Sequence, residues 1–234
     1  MRLKFVLAAF IGSLGLVSTA MSESSNWRAD FEDPRELLNE TWSLEGTGTA
    51  TIRDGALQLQ ETENGVGVVL RARQDFPDSF QLSFDVAFSN NRGIGVIFWA
   101  ARAVDGGDAL RDQGERTGAY DEYIRGALRS YSLSLHRYWP DGRNNPGSNL
   151  RRNSGFHLLD QALPDPCLDA EKTYQIKIQK RGAELTIWVD GEQTHHAIDD
   201  GGHGPPHESG KIGFRLRGDA SCVMRIDNVR VVED

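Results

Sequence analysis

The chain has 234 residues, of which 38% are hydrophobic, and its formal net charge is −8. This composition is typical of a soluble globular protein. An acidic chain lacks the basic surface that phosphate neutralisation requires, so the composition argues against nucleic-acid binding. Most of the basic residues are arginines, whose planar guanidinium groups suit the recognition of carboxylate and sulfate.

The first twenty residues predict a secretory signal. Arg2 and Lys4 precede a largely apolar run, residues 5–17, and the small residues 18–20 follow it. The run is shorter than the ~20 residues that span a bilayer, so a cleavable signal is favoured over a membrane anchor. We therefore expect a secreted or periplasmic mature protein, residues 21–234, that forms one domain and has no membrane segment after cleavage.

Period-two alternation of apolar and polar residues dominates the chain after residue 48 and predicts β-strands. In the clearest strand, every second residue from Phe80 to Phe88 is apolar. Asp54-Gly55 and Asp190-Gly191 each separate two such runs, as expected for tight hairpins. No segment keeps a helical period, so we predict an all-β, antiparallel β-sandwich or jelly roll. The predicted strands are 49–53, 56–60, 80–88, 93–101, 131–138, 174–178, 185–189, 212–216 and 223–232.

Two long polar segments, 102–130 and 139–169, interrupt this pattern. Loops of this length are uncommon in compact domains unless they are functional, so we expect the site there. The strand between them would direct Leu133 and Leu135 into the core. Its opposite face would then carry Ser132, Ser134, His136 and Tyr138. That face suits a ligand groove, although an ordinary solvated face is an equal alternative.

The residue types of these segments match the requirements of β-elimination from a uronate. An arginine or asparagine must neutralise the carboxylate so that the C5 proton becomes acidic. A histidine or tyrosine then removes that proton, and a tyrosine can protonate the departing oxygen. The candidate acids and bases are His136, His157, Tyr120 and Tyr138. The candidate substrate-binding residues are Arg116, Tyr123, Glu122, Asn149, Arg151 and Trp139. A structural alternative is that these arginines and tyrosines pin the loops to the sandwich.

Two other functions remain open at this point. A glycoside hydrolase needs two carboxylates beside the scissile bond, and Glu122 and Asp108 are the candidates. A non-catalytic carbohydrate-binding module would use the same groove, with a sugar stacked on Trp139 or Trp188 and no turnover. Each function makes a poly- or oligosaccharide the partner, and elimination predicts that this saccharide contains uronate.

Cys167 and Cys222 predict a disulfide, because a cysteine pair in an oxidising compartment is usually bonded. No cofactor is required, and the spacing of the histidines matches no zinc signature. A structural Ca²⁺ is a weaker hypothesis, since the first and last strands could bring several carboxylates together. Those carboxylates are Asp30, Glu32, Asp33 and Asp227.

Several motifs resemble those of the YesU-like family, and the resemblance covers the chain from about residue 27 to its end. They are Phe98-x-Ala100-Ala101, Arg116-Thr117-Gly118-x-Tyr120-x-Glu122-Tyr123, Asn149-Leu150-Arg151, Gly155-Phe156-His157-Leu158 and Gly210-Lys211-Ile212-Gly213-Phe214-Arg215. The resemblance implies a concanavalin A-like jelly roll. It also implies an association with bacterial gene clusters that degrade pectin-type and other uronate-containing polysaccharides, without assigning a reaction.

Overall fold

A computed structural model describes residues 26–33, 35, 41–110 and 115–233, and the predicted signal segment lies outside them. Two antiparallel sheets built from these residues pack face to face. The eight-stranded sheet consists of β1 (Asn26–Ala29), β3 (Gly48–Arg53), β4 (Ala56–Glu61), β6 (Phe80–Phe88), β11 (Tyr174–Arg181), β12 (Glu184–Val189), β13 (Glu192–Ile198) and β15 (Val223–Glu233). The seven-stranded sheet consists of β2 (Trp42–Gly46), β5 (Val68–Ala72), β7 (Gly93–Ala103), β8 (Leu128–Leu135), β9 (Ser148–Asn153), β10 (His157–Ala162) and β14 (Lys211–Gly218). A single turn of helix, α1 (Asp121–Ile124), precedes β8.

The hydrophobic core lies between the two sheets. Strand β6 alternates buried and half-buried residues along its whole length, as the sequence pattern predicts. Its Phe84 meets Phe214 of the opposite sheet edge to face, with ring centroids 5.2 Å apart, a favourable aromatic geometry. Strand order in the seven-stranded sheet is β10-β9-β8-β7-β14-β5-β2. The structure confirms the predicted antiparallel β-sandwich.

The polar segment 139–169 contains two strands that the sequence pattern does not reveal. Strand β9 pairs with β8, and β10 pairs with β9, so both extend the seven-stranded sheet. Leu150 is the one apolar residue of β9, and it packs into the core. Its neighbours Asn149 and Arg151 lie on the outer face of the sheet. Because a strand with a polar outer face and few apolar residues has no alternating hydrophobic signal, it resembles a loop in sequence.

His136 does not lie on the polar face that alternation predicts for it. The residue follows the end of β8 with a φ of 49°, and this left-handed turn rotates its side chain into the core. The imidazole stacks on Phe88 with centroids 4.1 Å apart. Its Nδ1 is 2.9 Å from the Cys167 carbonyl oxygen, and its Nε2 is 3.0 Å from that of Asn90. Burial lowers the pKa of His136. The prediction that places it with Ser132 is therefore wrong.

The predicted disulfide is not formed in the structure. Cys167 and Cys222 are both free thiols, and both are fully buried in the core between the sheets. Burial raises the pKa of each thiol, to about 12 for Cys222. Protonated thiols in an apolar core pack as small hydrophobic side chains.

A segment of chain before β8 lies on the outer face of the seven-stranded sheet. This docked segment, residues 115–127, includes α1 and buries Tyr123 and Ile124 against the sheet. These two side chains join Val96 and Phe98 of β7 in a second, smaller apolar cluster outside the main core. The outer face of the sheet is therefore covered at one side and open at the other.

The carboxylate of Glu45, on β2, holds the docked segment in place. Arg116 donates to it through Nε at 3.0 Å and Nη2 at 2.6 Å, and the Tyr123 hydroxyl donates at 2.8 Å. Arg71, on the neighbouring strand β5, adds an ion pair at 3.4 Å. Burial alone would raise the pKa of Glu45, but the hydrogen bond from Arg116 and the charges of both arginines lower it. Glu45 is therefore ionised at neutral pH and contributes stability in that form.

We expect Glu45→Gln to lower the free energy of unfolding by about 3–5 kcal/mol, because it leaves two buried arginines without their counter-ion. Because the pKa of Glu45 is depressed in the folded state, its contribution to stability is present at pH values above the ordinary pKa of a glutamate and is lost in acid. The difference in free energy of unfolding between Glu45→Gln and the parent protein should therefore narrow as the pH falls below about 4.3. Urea unfolding at several pH values measures both effects.

The matched control is Glu184→Gln, which removes an exposed carboxylate paired with His196. Exposed pairs contribute about 0–1 kcal/mol, so this variant should unfold close to the parent protein. Equal losses in the two variants would contradict the assigned role of Glu45.

Candidate functional site

A groove of about 490 Å³ lies on the open part of the seven-stranded sheet's outer face. Its size is in the range typical of small-ligand sites. The docked segment forms one wall, strands β7, β8, β9 and β14 form the floor, and the loop after β8 closes the other side. The lining residues include Val66, Ile94, Val96, Tyr120, Asp121, Ile124, Arg125, Ser134, Arg137, Trp139, Asn145, Asn149, Arg151, Phe156, Arg215 and Arg217.

Three arginines in this groove form no ion pair with a carboxylate in the described part of the chain. The Asp165 carboxylate accepts from the backbone N–H of Arg137 at 3.1 Å and acts on its guanidinium only through its charge. Arg137 donates through Nη1 to the backbone carbonyls of Pro146 and Gly147. Arg151 donates to the carbonyl of Phe156. Arg215 is only 2% exposed. It donates through Nε to the carbonyl of Gly118 in the docked segment and through Nη2 to the carbonyl of Val66 in the loop before β5. These bonds fix the guanidinium groups without neutralising them.

Burial lowers the pKa of all three guanidinium groups. The arginines nevertheless remain protonated, because an arginine is not deprotonated in proteins at accessible pH. Buried charges are normally paired, since desolvation of an isolated ion is costly. A groove that holds several unpaired guanidinium groups is therefore a site that an anion would stabilise.

Arg217 differs from the other groove arginines. Its Nη1 lies 3.0 Å from Oε2 of Glu61, which is fully buried and also accepts a hydrogen bond from the Gly218 backbone. The charge of Arg217 is therefore neutralised within the protein, whereas the positive field of the groove comes from Arg137, Arg151 and Arg215.

Tyr120 lies at the centre of this positive field. The guanidinium of Arg215 lies over its ring at 4.9 Å from the centroid, and Phe156 meets the ring edge to face at 5.8 Å. The pKa of Tyr120 is raised from its ordinary value, because burial outweighs the charges of Arg215, Arg151 and Arg137, which act in the opposite direction. A tyrosine surrounded by cations is better able to ionise than burial alone would allow.

The groove also has an apolar and aromatic part. Trp139 is 44% exposed at its rim, and Val96 and Ile94 of β7 line the floor. The guanidinium of Arg151 lies 3.9 Å from the centroid of the Phe156 ring. This contact holds the Phe156 ring in the wall of the groove. The combination of arginines, an exposed indole and apolar floor suits a ring-shaped ligand with one charged edge.

The groove brings together four of the residues that the sequence analysis selects. Tyr120, Asn149, Arg151 and Trp139 all line it. Asn149 accepts a hydrogen bond from Gln161 through Oδ1 at 2.8 Å, and its Nδ2 makes no hydrogen bond among the described residues. An amide donor is thus present beside Arg151 on the same strand.

Four other predicted residues are occupied elsewhere. Arg116 and Tyr123 bind Glu45 in the buried attachment of the docked segment, so they are not free to bind a substrate. Glu122 accepts hydrogen bonds from the backbone and side chain of Thr117. Asp108 pairs with Lys211 at 3.2 Å. Neither carboxylate of the proposed hydrolase pair lines the groove.

Tyr138 and the two predicted histidines also lie outside the groove lining. His136 is enclosed in the core. The Tyr138 hydroxyl donates to the Leu168 carbonyl at 3.2 Å. His157, the first residue of β10, stacks on His203 with ring centroids 3.5 Å apart.

Sequence reasoning did not select most of the other residues that line the groove. Arg215 and Arg217 alternate with Phe214 and Leu216 on β14, so charged residues on one face of an apolar strand were the signal that could have found them. Arg137, Asn145 and Phe156 depend on loop conformations that no local pattern specifies.

Within the described residues, no group of three or more histidines, cysteines, aspartates or glutamates could hold a metal ion. The carboxylates proposed for Ca²⁺ are used locally: Asp30 pairs with Arg28, and Asp33 pairs with Arg35. In the groove lining, Asp121 is the one carboxylate among the described residues, and it pairs with Arg125. The same part of the chain has no helix long and apolar enough to cross a membrane.

Comparisons with known proteins identify relatives of the whole sandwich. Residues 27–225 match the family described as "Domain of unknown function (DUF1961)". The uncharacterized protein YesU of Bacillus subtilis (strain 168) is 31% identical over 193 residues, covering 79% of this chain and 86% of YesU.

Two solved structures of Bacillus subtilis proteins have a similar fold. A protein of unknown function with a galectin-like fold superposes with a TM-score of 0.80 at 27% identity, covering 88% of this chain and 94% of that one. The carbohydrate-binding module CBM66 superposes with a TM-score of 0.54 at 16% identity, covering 83% and 96%.

Arg151 in the groove, which forms no ion pair, and Arg116 in the attachment, which pairs with Glu45, predict different effects on stability. Arg151→Met should leave the free energy of unfolding within about 1 kcal/mol of the parent value, because it removes a charge without a counter-ion. Arg116→Met should lower it by about 3 kcal/mol or more, because Glu45 then loses its principal partner. Urea unfolding of both variants checks this contrast, and a large loss in Arg151→Met would show that its charge is compensated after all.

Proposed function

This chain belongs to the DUF1961 family, and we propose that it binds an acidic carbohydrate in the groove on its seven-stranded sheet. The observation that carries the proposal is the set of three guanidinium groups, Arg137, Arg151 and Arg215, that donate to backbone carbonyls and form no ion pair among the described residues. A uronate carboxylate would supply the missing negative charge. Arginine binds carboxylates through two parallel hydrogen bonds, which gives geometric specificity as well as affinity.

The remaining lining suits a sugar ring. An exposed indole such as Trp139 offers a flat apolar face against the C–H groups of a pyranose. Asn149 and Arg217 offer donors for hydroxyl groups. The carbohydrate-binding names of structural neighbours support this proposal. Export, which the first twenty residues predict, would place the protein where polysaccharide fragments occur.

A second candidate function is uronate β-elimination, and the position of Tyr120 favours it. With the carboxylate held by arginines, the phenolate of Tyr120 would take the C5 proton, and the C–H electron pair would form the C4–C5 double bond. The bond from C4 to the bridging oxygen would break, and Tyr120 would return its proton to that oxygen. The atoms balance without a cofactor or water. A hydrolase is disfavoured, because the described lining offers no second carboxylate beside Asp121.

Binding is tested by calorimetric titration with galacturonate and glucuronate oligosaccharides. The matched ligands are the same oligosaccharides with each carboxyl group reduced to an alcohol. We expect the acidic forms to bind at least about tenfold more tightly than the reduced forms, since a charge-assisted hydrogen bond contributes about 1.5–3 kcal/mol. Equal affinity for both forms would refute recognition of the carboxylate.

The variant for the same titration is Arg151→Met, whose stability is measured independently. It should weaken binding of the acidic ligands at least about tenfold while leaving the reduced forms little changed. Arg143→Met is the control, because Arg143 is exposed and pairs with Asp141 outside the groove lining. Loss of affinity in both variants alike would point to a general charge effect rather than this site.

Elimination is tested by ultraviolet absorbance of the unsaturated uronate product. If Tyr120 is the acid and base, absorbance should rise with the parent protein and fall by about 10²-fold or more in rate with Tyr120→Phe. His157→Ala should retain the activity, because His157 lies outside the groove lining. A flat trace with a ligand that binds tightly would reject the lyase and leave the binding function intact.

A further inference from the structure

A residue on the edge strand of the seven-stranded sheet reaches the groove from behind its lining. Strand β10 lies at the end of the strand order and pairs with β9. Its Gln161 is directly opposite Asn149, which in turn is opposite Ser134 of β8. Asn149 and Ser134 line the groove, whereas Gln161 does not. Gln161 therefore acts on the groove through Asn149.

One hydrogen bond joins the two amides and fixes which atom Asn149 presents to a ligand. Nε2 of Gln161 donates to Oδ1 of Asn149 at 2.8 Å. An asparagine amide carries its acceptor on the oxygen and its two donor hydrogens on the nitrogen. Because Oδ1 is engaged by Gln161 and Asn149 is only 4% exposed, Nδ2 is the polar atom that remains for a ligand in the groove.

This orientation of Asn149 is the one that the charges of the groove disfavour. Arg151 lies two residues away on the same face of β9, and Arg137 and Arg215 add two more positive charges to the lining. Side-chain amide dipoles orient in the field around them, so an unrestrained Asn149 would turn its oxygen toward the guanidinium groups. The hydrogen bond from Gln161 holds the oxygen away from them. A hydrogen-bond donor is thereby kept beside three cations, which suits an acceptor that carries negative charge.

A β-bulge in β10 places Gln161, rather than a carboxylate, beside Asn149. The register of β10 against β9 shifts by one residue after Leu158, which is opposite Arg151. If the register continued unchanged from Leu158, Asp160 would be opposite Asn149. A carboxylate only accepts hydrogen bonds, so it would bind Nδ2 and turn Oδ1 toward the groove. Bulges often re-aim side chains next to active sites, and this one exchanges an acceptor for a donor.

We propose that Gln161 is a positioning residue that sets the specificity of the groove: it makes Asn149 a hydrogen-bond donor, so that the amide binds a carboxylate oxygen of the ligand beside Arg151. The Cα atoms of Asn149 and Arg151 are roughly 7 Å apart along the strand, so one acidic sugar can contact both side chains. An amide oxygen in the same place would repel a carboxylate and accept from an alcohol, which favours neutral sugars instead. This inference rests on the proposed binding of an acidic carbohydrate.

The orientation of Asn149 is tested by NMR in the absence of any saccharide. In isotope-labelled protein, Asn149→Asp and Gln161→Glu identify the side-chain amide signals of the two residues by their disappearance. We expect one Gln161 amide proton to show the weak temperature dependence of a hydrogen-bonded proton, and both Asn149 amide protons to show a strong one. In Gln161→Glu, one Asn149 proton should shift downfield, because the new carboxylate accepts from Nδ2. A hydrogen-bonded Asn149 proton in the parent protein would overturn the proposal.

The effect on specificity is tested by calorimetric titration with galacturonate oligosaccharides and their carboxyl-reduced forms. Gln161→Glu also adds a negative charge, so the titration is repeated in the Asn149→Ala background, where that charge acts without the amide. We expect Gln161→Glu to weaken binding of the acidic ligands about tenfold more with Asn149 present than with Asn149→Ala, because the amide oxygen then faces the carboxylate. Equal weakening in the two backgrounds would assign the effect to charge alone and reject the positioning role.

Two further variants separate positioning from general charge and from stability. Gln193→Glu is the matched control, because Gln193 is exposed on β13 and lies outside the groove lining; its affinities should stay at the parent values. Gln161→Met removes the hydrogen bond without adding charge. It should weaken the acidic ligands, by less than Gln161→Glu does, and leave the reduced forms unchanged. Equal weakening of acidic and reduced ligands by Gln161→Met would show a merely structural role and overturn the proposal.

The two experiments distinguish failure of this inference from failure of the proposed function. If the Asn149 amide inverts in Gln161→Glu but no oligosaccharide binds the parent protein, carbohydrate recognition is rejected while the orienting role of Gln161 is supported. If the parent protein binds acidic forms selectively and Gln161→Glu changes neither the amide signals nor that selectivity, the proposed function is supported and the positioning role is rejected.

Discussion

The groove depends on the attachment of the docked segment to the outer face of the seven-stranded sheet, and that attachment centres on the carboxylate of Glu45. Arg116 and Tyr123 of the segment converge on this one carboxylate, and Arg71 supports it from the neighbouring strand. Without this ionic contact, the small apolar cluster beneath the segment would have to hold it alone. Tyr120 lies between Arg116 and Tyr123 in the chain, so the position of its side chain follows from the same contact.

This arrangement gives the motif Arg116-Thr117-Gly118-x-Tyr120-x-Glu122-Tyr123 a physical meaning within this chain. Most of its residues attach the segment. Gly118, with a φ of 87°, lets the backbone approach so closely that a Cβ atom would lie 2.0 Å from the carbonyl oxygen of Gly67, and its own carbonyl accepts from Arg215. Tyr120 is the member that enters the groove. A motif made mainly of attachment residues thus delivers one chemically useful side chain.

Buried charge has two opposite uses in this protein. Around Glu45, acid and base are paired, and the pairing holds one part of the chain on another. In the groove, Arg137, Arg151 and Arg215 are held by backbone carbonyls and keep their full positive charge. Carbonyl oxygens can orient a guanidinium but cannot neutralise it, so the groove concentrates a positive field in a protein whose net charge is −8. The local field, rather than the overall charge, determines which ligand fits.

The sequence by itself determined the sandwich, because strands such as β6 carry an alternating pattern that only a two-faced sheet satisfies. It also predicted a site in the two polar segments, 102–130 and 139–169, and it selected Tyr120 and Arg151 by residue type. Tertiary structure alone decided the rest. The left-handed backbone of His136 turned its own side chain into the core. Glu45, on a strand distant in the chain, bound Arg116 and Tyr123. Strand β14, near the end of the chain, contributed Arg215 to the groove. Local patterns report which face a side chain takes on a regular strand. They do not report which distant partner neutralises a charge, because that depends on contacts between residues far apart in the chain.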